Sequence, residues 1–224
     1  MNWFTELFGS TLGKKVVMAL TGLFLISFLV IHLIGNLQLL KGDGGQAFNV
    51  YAQFMTHNPV IKTISYSLYA SIVIHSVWAL LLTIGNRKAR GTGYAVGGTS
   101  SKWTSRNMGI LGTITLIFIV IHMRQFWAEM HWGSVPYQIY DGEEYKDLYT
   151  ICAFAFAQIW YVILYVFCMI VLGFHLYHGF QSAFQTLGLN HLKYNPIIRV
   201  VGTGFSLVVP ALFALIPIWM FLVK

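Results

Sequence analysis

Residues 16–40 read VVMALTGLFLISFLVIHLIGNLQLL, twenty-five positions without one Asp, Glu, Lys or Arg. As an α-helix the stretch rises ~37 Å, more than the ~30 Å hydrocarbon core of a bilayer, so it reads as a transmembrane helix. Stretches of similar length and apolarity recur at 60–84, 108–128, 150–180 and 199–223. The fold class expected is all-α: residues 1–224 form one integral membrane domain with five transmembrane helices. The composition agrees, at 57% hydrophobic, 9% charged and mean hydropathy +0.66. A water-soluble domain carries about 25% charged residues, so a soluble enzyme and a secreted scaffold are excluded.

The connections are a Lys41/Gly42/Gly44/Gly45 loop, a polar loop at 85–107, an acidic one near 129–149, and a polar stretch near 185–196 closed by Pro196. None has room for a soluble domain. Cys152 and Cys168, sixteen apart in apolar sequence, supply neither a disulfide framework nor a four-cysteine metal site. The first apolar run is long and follows Lys14-Lys15, so an uncleaved N-terminus is expected.

A net charge of +7 would suggest nucleic acid in a soluble protein; here the cations report topology instead. Five crossings put the termini on opposite sides. Lys14, Lys15, Arg87, Lys88, Arg90, Lys102, Arg106, Lys193 and Arg199, nine of the fourteen cations, share the N-terminal side with Glu6 as its one acid. The other side holds Lys41, Lys62, Arg124, Lys146 and Lys224 against Asp43, Glu129, Asp141, Glu143, Glu144 and Asp147. The positive-inside rule then makes the N-terminus cytoplasmic and the C-terminus external.

Of eight histidines, His32, His75, His122 and His175 fall inside four different spans, where an ionisable side chain is costly and marks a functional site. Counting helical rise from the nearest cytoplasmic anchor places His32 ~25 Å from Lys15 and His122 ~24 Å from Arg106, but His75 ~18 Å from Arg87 and His175 ~15 Å from Gln185. One pair lies deep and the other shallow. Two bis-imidazole haems stacked in a four-helix bundle need that pattern, since each iron takes axial ligands from opposite walls. Zinc would gather its ligands at one depth. The competing reading is four core histidines hydrogen-bonded across helices. Around the histidines the chain repeats: Phe28-Leu-Val-Ile-His32 resembles Phe118-Ile-Val-Ile-His122, and Gly22 and Gly112 each precede their histidine by ten residues. The first two and next two spans thus look like related units, with the fifth, which has no histidine, as a flank. Small residues such as Gly22, Gly112, Gly173 and Gly179 would let a flat macrocycle or a neighbouring helix come close. His178 lies one turn from His175 and is a candidate for a propionate, a quinone or ligation; His57, His131 and His191 fall in loops or at interfaces. Asn36, His57, Arg124 and Trp127 share the outer level as candidate quinone contacts, with interfacial anchoring the competing reading for Asn36, Arg124 and Trp127 and proton transfer a further role for His57.

Four histidines on successive spans, His32-Leu-Ile-Gly-Asn36 followed by Phe48-Asn49 and Phe54-Met55, and His175-Leu-Tyr-His178-Gly179 together resemble the cytochrome b membrane anchor of succinate:quinone oxidoreductases (complex II), in its single-subunit, five-helix, two-haem form. The resemblance spans nearly the whole chain. It implies that His75 and His175 hold a proximal haem b and His32 and His122 a distal one, with His175 favoured over His178 by the His-x-x-x-Gly match. It further implies menaquinone as substrate, a flavoprotein subunit with FAD and an iron-sulfur subunit on the cytoplasmic side, and a bacterial cytoplasmic membrane. The expected activity is electron transfer from the iron-sulfur subunit to menaquinone. A menaquinol:fumarate reductase anchor would read the same, and a haem-free scaffold or transporter with histidine proton relays is the reading from another class. One departure stands out: some fumarate-reducing relatives carry a Glu at the outer end of the second helix, where this chain reads Tyr51-Ala-Gln-Phe-Met-Thr-His-Asn58.

Overall fold

The computed structural model describes residues 9–90 and 103–223; Glu6, Lys102 and Lys224, counted in the charge reading, lie outside them. Helix α1 (Thr11–Asn36) begins where the Ser10 hydroxyl accepts the Gly13 N–H at 2.9 Å, and a 3₁₀ turn, Leu37–Leu40, extends it. Gly42, Gly44 and Gly45 then take positive φ, a conformation glycine adopts without steric cost. The Asp43 carboxylate accepts the N–H groups of Gly45 and Ala47, which starts α2 (Gln46–His57). Asn58 accepts from Val60 and Ile61 and opens α3 (Pro59–Arg90) with proline in its first turn, where no N–H is needed. A short α4 (Trp103–Arg106) precedes α5 (Met108–His122), which continues through a π-helical stretch, Met123–Ala128, into α6 (Glu129–Trp132).

Strands β1 (Tyr137–Tyr140) and β2 (Glu143–Lys146) pair antiparallel with Tyr140 opposite Glu143. This hairpin, inside the acidic loop, is a small exception in an otherwise all-α chain. Its two-residue turn is Asp141-Gly142, both at positive φ, the backbone that matches the twist of a tight hairpin. The fourth span is likewise not one helix over 150–180. It divides into α7 (Leu148–Phe156) and α8 (Ile159–Thr186), because Gln158 turns extended (φ −96°, ψ 114°) and its carbonyl starts a new helix by accepting from Tyr161 and Val162. The last helix is α9 (Asn195–Leu222). Five helical segments are long and apolar enough to cross a membrane: Thr11–Leu40, Pro59–Lys88, Met108–Trp132, Ile159–Thr186 and Asn195–Leu222. The chain is a multi-pass membrane protein.

Packing is uneven. Helix α9 lies along α8 and touches α1; α1 packs on α3 and α8, and α5 on α8 and α3. At the α8/α9 contact, Pro210 has no N–H for the Ser206 carbonyl, and Gly173 brings its bare backbone against that oxygen, so close that an added Cβ would lie 3.1 Å from it. The buried core, with Leu33, Phe156, Tyr161, Tyr165, Val209 and Ile216, sits on this side. Between Pro59 and Lys88, by contrast, Leu68 alone is buried, and between Met108 and Trp132 Leu111 alone. The first four spans stand around a cavity rather than a packed centre, and the fifth buttresses one side.

Over the end of the cavity away from the N-terminus, the hairpin is tied to α2 by Asn49, which is 1% exposed. Its Nδ2 donates to the Tyr140 hydroxyl and the Asp147 carboxylate, both at 3.1 Å, and its Oδ1 accepts the Tyr149 N–H at 3.0 Å. Asp147 is also buried and accepts from the Thr150 N–H and hydroxyl and from Gln138. Burial alone would raise its pKa; the hydrogen bonds from Thr150, Asn49 and Gln138 outweigh that and leave it below the usual carboxylate value.

Candidate functional site

The cavity measures about 2900 Å³, roughly three times the ~1,000 Å³ at the upper end of ordinary small-molecule pockets. His32, His75, His122 and His175 all line it. They meet in two pairs. His75 of α3 and His175 of α8 face one another with ring centroids 6.4 Å apart; His32 of α1 and His122 of α5 do so at 5.6 Å. A metal held between two imidazoles needs two bonds of ~2.0–2.1 Å plus ~1.1 Å from each nitrogen to its ring centre, about 6.2–6.4 Å in all. The first pair has that separation, and the second is tighter by about 0.6–0.8 Å.

The helices that carry the imidazoles also shape their seats. Gly22 of α1 lies under the His75 ring, where an added Cβ would be 3.3 Å from Cε1, and Gly112 of α5 lies under His175, where it would be 3.6 Å away. Each glycine therefore receives the histidine of the neighbouring span, and that places the repeat of the two units in the shallow pair. In the deep pair, His122 is ringed by Phe118, Phe126 and Tyr165, and His32 stacks on Phe28 at 5.1 Å with Phe213 of the fifth span at 5.6 Å. The fifth helix is thus more than a flank, since Ile216 and Pro217 also reach the cavity wall. His75 meets the Thr21 hydroxyl and His122 the Tyr165 hydroxyl, each at 3.1 Å through Nδ1. Nδ1 of His175 is buried without a hydrogen-bond partner.

The two mouths differ in chemistry. Lys15, Asn86, Arg87, Ser105, Arg106 and Gln185 line the end near the N-terminus; His57, Lys62, Trp127, His131 and Lys146 line the other. Among the residues expected at that second level, Asn36 lines the cavity and donates to the His32 carbonyl at 2.8 Å. His57 lines it too, exposed, with Nδ1–H donating to the Gln53 carbonyl at 2.9 Å. Trp127 is on the wall, its indole donating to the Tyr69 hydroxyl at 2.8 Å and its ring 4.2 Å from that of His131. Arg124 is not on the wall: it is exposed and reaches Glu129 at 3.7 Å. Two residues beyond His122 means ~200° around a helix, so a reading by depth finds the right height on the wrong face. The same blindness to azimuth hid Thr21, Tyr69 and Tyr165 from the sequence reading. His178 lines the cavity beside His175.

No family model, curated protein or solved structure matches the chain. The site must therefore be read from its own chemistry. Among the described residues no group of three or more His, Cys, Asp or Glu is placed to hold a metal ion. Paired imidazoles facing each other in a largely apolar cavity would fit a group that brings further donors of its own, as a porphyrin does.

Proposed function

We propose that this protein is the di-haem cytochrome b membrane anchor of a succinate:menaquinone oxidoreductase, joining a flavoprotein and an iron-sulfur subunit on the cytoplasmic side to menaquinone in the bilayer. The observation that carries the reading is the pair of facing imidazole couples, drawn from four spans and held at two levels of one large cavity. His75 and His175 would hold one haem b, and His32 and His122 the other. Haem iron, when bound, supplies one-electron redox chemistry to a two-electron oxidation. The chain's own part is to present the imidazoles from opposite walls, to hold their distance through rigid helices, and to keep water out with Phe28, Phe118, Phe126 and Phe213. At the N-terminal mouth Lys15, Arg87 and Arg106 favour carboxylate groups and offer the soluble subunits a cationic surface. At the far mouth Asn36, His57 and Trp127 put hydrogen-bonding groups where a quinone headgroup would enter from the lipid.

A visible spectrum of the purified full chain, with a haem-to-protein ratio, tests this. Two b-type haems per chain are expected, all extractable by acid acetone because no Cys-x-x-Cys-His occurs for thioether attachment. A chain produced with ample haem that shows no Soret band would refute the reading in favour of a haem-free scaffold or transporter.

A further inference from the structure

Each level of the cavity contains one imidazole held by a hydroxyl and one that is not, and the hydroxyls come from different units of the repeat. Thr21 stands one residue before Gly22; the corresponding residue before Gly112 is Leu111, which has no such group. Tyr165 stands ten residues before His175; ten before His75 is Ser65, whose hydroxyl is turned to its own helix and donates to the Ile61 carbonyl at 2.9 Å. The two hydroxyls are thus departures from the repeat, one at each level and on the neighbouring helices α1 and α8.

The direction of the first contact is constrained. A threonine hydroxyl has a single proton, and that of Thr21 goes to the Val17 carbonyl at 2.7 Å, with the Met18 carbonyl at 3.2 Å. Toward His75 the oxygen has only lone pairs to offer. The contact at 3.1 Å is therefore Nδ1–H donating to Thr21. A neutral imidazole with its proton on Nδ1 has its electron pair on Nε2. At the other level, the Tyr165 hydroxyl, on a ring only 6% exposed, lies 3.1 Å from Nδ1 of His122. Phe118, Phe126 and Phe156 pack around the Tyr165 ring and deny it another position.

We infer that Thr21 and Tyr165 are positioning residues, one per level, which fix His75 and His122 in the Nδ1–H tautomer and aim Nε2 into the cavity, so that each proposed haem has one electron-rich and one plainer axial imidazole. The inference rests on the di-haem reading for its consequence but not for the tautomer. An acceptor on Nδ1–H raises the basicity of the ring and favours the ferric form of a bound iron. Removing it raises the potential.

The test uses the full-length purified chain with Tyr165→Phe and Thr21→Val, which delete a hydroxyl at nearly constant shape. In redox titrations followed by visible spectroscopy, Tyr165→Phe is expected to raise the midpoint of one haem component and Thr21→Val that of the other. A three- to tenfold change in the oxidised-to-reduced ratio corresponds to about 28 to 59 mV for a one-electron couple. His122→Leu and His75→Leu, by removing one component each, identify which is which. Both variants moving the same component, or neither moving any, would overturn the inference. Independently, ¹⁵N NMR of histidine-labelled wild-type chain, reduced if haem is present, is expected to place the ring proton on Nδ1 at His75 and His122. Protons on Nε2 at these two rings overturn the inference with or without haem. Absence of haem would defeat the proposed function alone, and the tautomers would then decide this question by themselves.

Discussion

Asn49→Ala isolates what ties the hairpin to the bundle. The substitution removes the Asn49 hydrogen bonds to Tyr140, Asp147 and Tyr149 together, at a residue 1% exposed. Two of these join neutral partners, at about 1 kcal/mol each, and the third reaches a carboxylate, at about 1.5–3 kcal/mol. The alanine also strands the Tyr149 N–H in a dry place. The net loss expected is about 3–5 kcal/mol, toward the upper end for a single substitution. For a chain of this length a loss of 1 kcal/mol lowers Tm by about 2–4 °C on the scale of soluble proteins, so a fall of about 6–20 °C is expected. Thermal melting in detergent measures it, and limited proteolysis locates it, because the freed Asp141-Gly142 turn should be nicked faster than in the wild type. If Asn49→Ala melts within a degree or two of the wild type with the hairpin equally resistant, the network contributes nothing net and the reasoning fails.

Three further expectations follow from the geometry. The carboxyl of Asp147 titrates below its unfolded value, so its contribution to stability should be fully present above about pH 5 and fade as pH falls through its folded pKa; Tm measured from pH 6 down to pH 3 should show the gap between wild type and Asp147→Asn closing at the acid end, and a constant gap would contradict it. Gly22→Val and Gly112→Val should each push aside a ring of the shallow pair, His75 and His175 respectively, and take the haem-to-protein ratio from two toward one with loss of the same spectral component; loss of different components would show that the glycines serve different sites. Gly173→Leu should force α8 from α9 at the Ser206 carbonyl and cost about 1–3 kcal/mol as an overpacked contact, read as a lowered Tm while Gly9→Leu, in open space, changes nothing.

The pairing of the histidines was legible because helical rise is nearly constant: seventeen residues from Lys15 to His32 and sixteen from Arg106 to His122 fix two heights without any structure. Rotation about the helix axis is not legible in this way, since it depends on which neighbour each face meets. Gly22 repeats ten residues before His32, yet it seats His75; Arg124 reads as level with the deep pair, yet it turns outward. The break at Gln158 hid for a different reason: no proline or glycine marks it, and one polar residue in an apolar run leaves the hydrophobic count unchanged. The Asp141-Gly142 turn carried its own signal, a tight-turn dipeptide between β-prone tyrosines, masked by the acidity of the loop.

The uneven packing bears on how such a chain is made. Helices α1, α3 and α5 leave the ribosome before α8 and α9, yet the most extensive contact among the described residues lies between the two latecomers, where Gly173 meets the carbonyl freed by Pro210. The early helices must wait in the lipid as loosely associated rods. Biogenesis is then gated by the C-terminal third, and translation stopped before Asn195 should leave a polypeptide that inserts normally but is cleared by quality-control proteases, because its walls have nothing to lean on.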